Sequence, residues 1–497
     1  VRETHLSWLI LTGPFAYKIK KSVDLGFVDA STLERRRWLC EEELRLNRRL
    51  AADLYLDVIR ITRCEGETRV GGTGEIVEYA VRMRQFVSSD ELSALLDRDA
   101  VGASELIELA HRIAQFHDEA PRAPPSRDGP HTGDLREAAL GTFGRLQSHL
   151  GGAPRPPELD VLVAWATRYL EQELPGLRER ELSGHIRECH GDLHARNVVR
   201  WRAALLPFDC LEFDPRLRWI DTMSDVAFMV MDLQAHGRKD LASAFLNAYL
   251  EHTGDYEGTR HLAFYEIYRA LVRAMVDGLS AEADCGQRRF FQNRLRTRIG
   301  TAAALLDRTP RLFVMHGLSG SGKSWLSERL ALHLGAVRIR SDVERKRLLA
   351  ASSDAAHDAS DPQAAYRPEM IRRTYGRLLE CAASGLAGGL TVIVDATFLA
   401  AAERRRFLDL ASARAVPCLI LSCCADRGVL ARRIEQRLES GADPSEADLR
   451  VLDEQVRRAE PLSAAEERHA IIIDTAQPEA DLKACAAISA REPHTST

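Results

Sequence analysis

Apolar and polar residues change rhythm twice along this chain. From Glu3 to about Phe86 they alternate in short runs around one helical stretch, the period of half-buried strands. "HLSWLILTGPFAYKIKK" predicts two strands joined at the turn dipeptide Gly13-Pro14. In "STLERRRWLCEEELRLNRRL" apolar residues recur three to four apart, which predicts a helix with Ser31 as its cap. "GEIVEYAVRMRQF" is strand-like again. Residues 87–190 read as mostly helical, interrupted by the Pro- and Gly-rich loops "EAPRAPPSRDGPHTGD" and "GGAPRPPELD". Short strands follow around "ALLPFDCLEFD", between Leu193 and Asp221. Residues 222–305 return to helix, with "FYEIYRALVRAMVDGL" amphipathic. After Leu306–Pro310 the rhythm becomes continuous apolar strands alternating with helices, as in a parallel sheet. The expected organisation is therefore an α+β domain over residues 1–305 and an α/β domain over 306–497.

The second block carries the strongest motif. "GLSGSGKS" follows the apolar run "RLFVMH" and precedes the helix "SWLSERLALHL". It fits the P-loop pattern at every fixed position. Gly317, Gly320, Ser321 and Gly322 let backbone N–H groups turn toward phosphates, Lys323 neutralises β/γ-phosphate charge, and the Ser324 hydroxyl suits Mg²⁺. In "VRIRSDVERKRL" a strand is expected to end at Ser341-Asp342, beside the phosphates. Asp342 is there a candidate base for an acceptor hydroxyl, or simply the cap of the next helix, and Arg345 a candidate contact to the acceptor. "LTVIVDATF" reads as a buried strand with Asp395 at its C-terminal end, a candidate to organise Mg²⁺. Arg404 to Arg406 begin a helical face that reads as solvated. "VPCLILSCCA" reads as another core strand. "LARRIEQRLESGADPSEADLRVLDEQ" reads as helix, loop, helix. Arg433 and Arg437 share a face there, either as surface residues or as a basic segment closing over phosphates.

The first block has its own constellation. In "CHGDLHARNVV" Asp192 and Asn197 are five apart, the spacing of a kinase catalytic loop. Asp192 would orient and deprotonate an acceptor hydroxyl; Asn197, with Asp209 of "FDCLEFD", would bind Mg²⁺. "FAYKIKK" offers Lys18 or Lys20 on one strand face for the nucleotide phosphates, and Lys21 on the other; Glu42 or Glu43 is the helical partner. His190 reads as structural support for the loop, and His194 is given no role.

These motifs resemble a family of bacterial two-domain proteins. It joins an aminoglycoside phosphotransferase-like domain to a P-loop kinase domain of the AAA-labelled, zeta-toxin-like or gluconate-kinase-like type. The matching stretches are "THLSW", "YKIKK", "GFVDASTLERR", "EEELRLNRRLA", "CHGDLHARN", "FDCLEF" and "IDTMSDVAF", then "GLSGSGKS", "RSDVERK", "VIVDATF" and "DPSEADLRVLDEQ". The resemblance implies a kinase-like first domain with Asp192 as catalytic aspartate, Asn197 and Asp209 as magnesium ligands, Lys18 as the ATP lysine and Glu43 as its partner. It implies ATP and Mg²⁺ as cofactors, and Asp342 with Arg345 as the acceptor pair of the second domain. One departure stands out: the short turn "LTGPF" replaces the Gly-rich loop that covers phosphates in protein kinases.

Charge and composition narrow the classes. Lys plus Arg is 68 and Asp plus Glu 73, so 68 − 73 gives a formal charge of −5. That argues against a generally basic nucleic-acid surface, though a local patch would survive the average, and weighs mildly against a polynucleotide kinase. No apolar stretch is long enough for a spanning helix. Val1 to Thr12 lack the layout of a secretory signal, and Val1 is no natural start, so the chain is expected to begin inside a longer one. The ten cysteines are scattered, with the adjacent Cys423 and Cys424 expected in a reduced core, and the expected compartment is the cytoplasm. The expected function is an ATP-dependent kinase for a small hydroxylated acceptor such as a sugar, aminosugar or aminoglycoside. A polynucleotide or nucleotide-sugar kinase and a non-catalytic ATP-binding regulator are the alternatives.

Overall fold

The computed structural model describes residues 1–4, 6–24, 28–124, 130–146, 148–150, 155–283, 286–351, 367–440 and 447–491. Parts of several expected segments therefore lie outside the described residues: His5, the start of "GFVDASTLERR", and stretches of the loops at 125–129, 151–154 and 441–446. Contacts divide the chain into two compact units. One comprises Val1–Arg238 with Phe264–Leu305, the other Lys239–Ala263 with Leu306–Thr497. The segment Lys239–Ala263 thus interrupts the first unit in sequence and packs in the second.

The first unit opens with a six-stranded antiparallel sheet: β1 (Arg2–Glu3), β2 (Ser7–Leu11), β3 (Phe15–Lys20), β4 (Tyr55–Cys64), β5 (Glu67–Val70) and β6 (Glu75–Arg84), in the order β1-β2-β3-β6-β4-β5. Alternate residues of β3 share a face, so Ala16, Lys18 and Lys20 lie together. The helix Leu33–Ala51 contributes Cys40 and Ala51 to a core with Ala16, Leu54, Tyr55, Val81 and Met83. Its cap is Thr32, whose Oγ1 accepts from Arg35 N at 3.3 Å; the expected cap Ser31 instead donates its hydroxyl to Asp29 at 2.6 Å.

The rest of the unit is mainly helical, with two small hairpin-like pairs. β7 (Ile186–Glu188) pairs with β10 (Trp219–Asp221), and β8 (Val198–Trp201) with β9 (Ala204–Pro207). "FDCLEFD" was expected among these strands but lies beyond the end of β9 as irregular chain. Both Pro-rich loops are shorter than expected, because Pro130 and Pro157 begin helices, Pro130–Leu146 and Pro157–Gln172. Proline suits a first helical position, where its missing N–H would have no partner.

The second unit is a five-stranded parallel sheet typical of P-loop NTPases. β11 (Leu312–His316), β12 (Val337–Arg340), β13 (Val392–Asp395), β14 (Cys418–Cys424) and β15 (Ala470–Asp474) lie in the order β12-β13-β11-β14-β15. The direction of winding reverses at β11, and ligands of such sheets bind beyond the strand ends at that point. Phe313, Met315, Ile393 and Leu421 of the sheet pack with Leu326 and Leu330 of the helix Lys323–Leu334.

The helix Lys239–Thr253 is part of this unit. Ser243 donates to Ala331 O at 2.9 Å and Ala336 O at 3.1 Å. Asn247 donates to Ala336 O at 2.9 Å and accepts from Arg338 N at 2.7 Å. Its carboxamide thereby continues the ladder at the free side of β12. Among the described residues no helix is long and apolar enough to cross a membrane.

Replacing Asn247 with Ala leaves that N–H and carbonyl without their partners. The expected cost is about 1–3 kcal/mol for the second unit, read as a lower urea midpoint. An unchanged midpoint would show that the Asn247 carboxamide contributes nothing to this unit's stability.

Candidate functional site

In the first unit a buried ion cluster joins sheet, helix and loop. Lys18 Nζ lies 2.8 Å from Glu43 Oε1 and 2.6 Å from Asp209 Oδ1. Lys20 Nζ lies 2.5 Å from both Glu43 Oε2 and Glu212 Oε1. Both lysines therefore share Glu43, one on each carboxylate oxygen. Burial alone would raise the Glu43 carboxyl, but the two ammonium groups outweigh it and hold it at about 2. Burial likewise works against the charge of Lys18, and Asp209, Glu43 and Glu212 overcome it, so its pKa is raised. The other candidates go elsewhere: Lys21 pairs with Glu3, and Glu42 with Arg45 and Arg218.

The loop from His190 to Asn197 is held from behind by Asp225. This fully buried carboxylate accepts from His190 N at 2.7 Å and Gly191 N at 3.0 Å, and its Oδ2 lies 3.4 Å from His117 Nε2. Asp232 does the same for Ala195 N at 2.9 Å. His190 Nε2 lies 2.9 Å from Phe208 O, which ties the loop to the chain leading into Asp209. Neither Asp225 nor Asp232 is singled out by sequence reasoning, although "IDTMSDVAF" contains the first. Their signal was a carboxylate within an otherwise apolar helix, Thr222–Ala235, where burial demands partners.

Asp192 faces Asn197 and His194. Asn197 Nδ2 donates to Asp192 Oδ2 at 2.8 Å and to Asp192 O at 3.0 Å. His194 Nε2 lies 3.3 Å from Asp192 Oδ2 and 2.8 Å from an Arg273 nitrogen. Burial pushes the Asp192 carboxyl up, but His194, Arg273 and His190 together hold it well below the usual carboxylate range. Asn197 commits its amide nitrogen to Asp192, so its oxygen is the atom it can offer a hard cation. With the Asp209 carboxylate, this donor set fits Mg²⁺. Asp209 has a left-handed backbone, φ 65°, which is strained for a non-glycine residue.

In the second unit the segment Gly317–Gly322 turns tightly between β11 and the helix Lys323–Leu334. A Cβ at Gly317, φ 138°, would stand 2.4 Å from Cys423 O, and one at Gly320, φ 78°, 2.7 Å from Leu430 O. Only glycine lets the loop lie this close to its neighbours. Thr475 donates to Ser321 O at 2.8 Å, and Gln455 Oε1 accepts from Ser319 N at 2.8 Å. Gln455, the last residue of "DPSEADLRVLDEQ", thus occupies one N–H of the loop. Leu452, one turn earlier, packs with Leu430, Ile434 and Leu318 and fixes that helix against the loop.

Lys323 is buried, and its ammonium donates to Leu318 O at 2.7 Å and Ser321 Oγ at 3.5 Å. Burial lowers its pKa, and Asp395, Cys423 and Asp342 offset only part of that. Asp395 ends β13 and accepts from Ser327 Oγ at 2.9 Å; Ser324 lies in the first turn of the same helix as Ser327. A carboxylate and a hydroxyl at the end of the loop again suit a hard cation.

Several expectations change here. Asp342 sits inside the first turn of the helix Ser341–Ala350, since β12 ends at Arg340, and it pairs with Arg345 at 2.6 Å. Arg404 is fully buried rather than solvated: it binds Glu466 at 2.6 Å and Phe398 O at 3.0 Å. Cys424 is exposed, while Cys423 is core. Arg433 reaches Gly320 O and Thr475 at the loop, whereas Arg437 donates to Ala447 O at 2.7 Å.

Residues 312–462 match the protein-family profile AAA_33, an AAA domain. The Mycobacterium tuberculosis (strain ATCC 25618 / H37Rv) "Uncharacterized protein Rv2004c" is 31% identical over 454 residues, covering 89% of this chain and 87% of that protein. The chain belongs to the Rv2004c family. The "Uncharacterized protein Mb2027c" of Mycobacterium bovis (strain ATCC BAA-935 / AF2122/97), another member, matches to the same extent, 31% over 454 residues. Among solved structures, a gluconokinase from Sinorhizobium meliloti 1021 covers 37% of this family member and 95% of its own chain, at 21% identity and TM-score 0.28. A choline kinase from Cryptosporidium parvum Iowa II covers 61% and 88%, at 11% identity and TM-score 0.38.

Glu43 gives a pH-dependent expectation. A carboxyl lowered from 4.5 to about 2 contributes stability that is complete above 4.5 and lost as pH falls through about 2. Glu43→Gln is expected to destabilise the first unit by about 3 kcal/mol, the low end for breaking a buried pair, because Lys18 keeps Asp209 and Lys20 keeps Glu212. It should also flatten the acid limb of urea midpoints measured against pH. A variant with an unaltered acid limb would remove Glu43 as its source.

Proposed function

We propose that this protein is an ATP-dependent phosphotransferase acting on small hydroxyl-bearing acceptors, with one phosphoryl-transfer site in each unit. The observation that carries this reading is Lys323. It is a buried cation whose contacts, Leu318 O and Ser321 Oγ, are neutral oxygens. Asp395 and Asp342 offset only part of the cost of burying this charge, and a phosphate in the loop is the contact partner that fits. Backbone N–H groups, Lys323 and the end of the following helix would together hold the β/γ-phosphates. Ser324 and Asp395 would hold Mg²⁺, which when bound supplies positive charge between the phosphates. Asp342 would accept the acceptor's proton, with Arg345 fixing its carboxylate. Arg433, at the loop, would add charge as the phosphoryl group leaves.

In the first unit Lys18, positioned by Glu43, would meet the nucleotide phosphates, and Asn197 and Asp209 would hold Mg²⁺. Asp192 would hold the acceptor hydroxyl. A carboxylate kept below its usual range is a weak proton acceptor, so its work is mainly orientation. That suits a loose transition state in which little proton transfer precedes bond cleavage.

Lys323→Ala and Asp192→Asn separate the two sites. Each single variant is expected to keep transfer by the untouched unit, and the double variant to lose all of it, measured as acceptor-dependent ADP release. Loss of all transfer from either single change, in protein that remains folded, would exclude independent sites. Asp342→Asn should lower the second site's kcat by ~10²-fold while ATP affinity stays within a few-fold. Gln455→Glu sets a carboxylate against the Ser319 amide. At least tenfold weaker ATP binding is expected by calorimetry, and unchanged affinity would remove Gln455 from the phosphate site.

A further inference from the structure

A cavity of about 940 Å³ lies in the first unit, and Asp192 forms part of its wall. Lys18, Asn197 and Asp209 do not line it, so it opens on the side of Asp192 away from the candidate nucleotide groups. Its volume is at the upper end for small-molecule pockets, which run about 300–1,000 Å³. Leu135, Leu177, Phe213, Trp219, Val272 and Met275 give it a largely apolar wall.

Many polar side chains of that wall are engaged by the protein; His131, Asp134, Glu137 and Arg145 also stand on it. Asp221 receives both Arg180 nitrogens, at 2.6 and 2.7 Å, and the Tyr265 hydroxyl at 3.2 Å. Arg216 is paired with Asp214 at 2.9 Å, and its charge also feels Asp134 and Glu137. Arg269 donates to Ser224 Oγ at 3.1 Å and Gly191 O at 3.0 Å, and its guanidinium lies 5.6 Å from the Tyr268 ring centre. Thr132 donates to Glu181 at 2.7 Å, and Thr142 to Ala138 O at 2.8 Å. A polyol entering here would exchange water for groups already bonded, and each unmatched hydroxyl costs roughly 1–3 kcal/mol. An apolar body gains by the same transfer, at about 25 cal/mol per Å² removed from water.

The geometry points to an alcohol with a large apolar body as the acceptor of the first unit, its hydroxyl at Asp192 and its body in this cavity. This rests on the phosphotransferase reading and narrows it, away from the sugars and aminoglycosides expected from sequence. In the transfer the acceptor oxygen forms a bond to the γ-phosphorus of ATP, the bond to the bridging oxygen breaks, ADP leaves, and the hydroxyl proton passes to solvent or phosphate.

The test is made on the full chain with 2-(naphthalen-2-yl)ethanol, a fluorescent alcohol with one hydroxyl, and with glucose and kanamycin as polar counterparts. Binding is read by fluorescence for the naphthyl alcohol and by calorimetry for the other two. The expected result is saturable binding of the naphthyl alcohol below 1 mM, and none of glucose or kanamycin. Val272→Glu, which puts a charge in the wall, and Ala138→Phe, which fills the cavity, should each weaken it at least tenfold, with circular dichroism unchanged. Binding of glucose or kanamycin in preference to the naphthyl alcohol overturns the inference. So does naphthyl-alcohol binding that neither variant weakens. Phosphate transfer from γ-labelled ATP is scored separately. Binding that follows the cavity variants without any transfer leaves the acceptor class standing and counts against the phosphotransferase reading instead.

Discussion

A charge taken out of water must be answered at contact distance, and both units are organised around that constraint. Glu43 has no exposure and serves two lysines, one per oxygen. Because those lysines also reach Asp209 and Glu212, a single carboxylate fixes the helix Leu33–Ala51, β3 and the chain after β9 relative to one another. Asp225 applies the same rule to backbone, holding the loop before Asp192 by two N–H groups. In the second unit Arg404 and Glu466 obey it in a purely structural way. Lys323 departs from it at contact distance, since its hydrogen bonds go to neutral oxygens while Asp395 and Asp342 offset only part of its burial, and perturbed groups of this kind cluster where ligands bind.

Much of this was legible in the sequence where a residue's chemistry is tied to its local spacing. The P-loop is such a case, since glycine at Gly317 and Gly320 answers a purely local demand, the close approach of Cys423 O and Leu430 O. The parallel strands β11, β13 and β14 were equally readable as unbroken apolar runs. The face of β3 was readable too: Lys18 and Lys20 share it and both reach Glu43, a convergence that only the tertiary position of the helix Leu33–Ala51 brings about.

What escaped was long-range. Arg404 has the spacing of a surface residue, and its burial is made tolerable by Glu466, Glu460 O and Pro461 O, all far along the chain, together with Phe398 O. Asp225 and Asp232 were not singled out, because the loop they brace lies 34 to 37 residues away along the chain. Cys424 shares an apolar run with Cys423, yet strand alternation turns it outward. The Pro-rich stretches misled because proline both ends one helix and starts the next.

The placement of Lys239–Ala263 has a consequence during synthesis. The helix Lys239–Thr253 leaves the ribosome long before β12, at Val337–Arg340, against which Ser243 and Asn247 are to bond. At the usual ~5–20 residues per second of translation, the interval is on the order of ten seconds. Throughout it Leu241, Phe245 and Leu246, buried in the finished protein, have no second-unit strands to cover them. The nascent chain therefore carries an apolar helix between two stretches of the first unit for as long as β12 is not yet made.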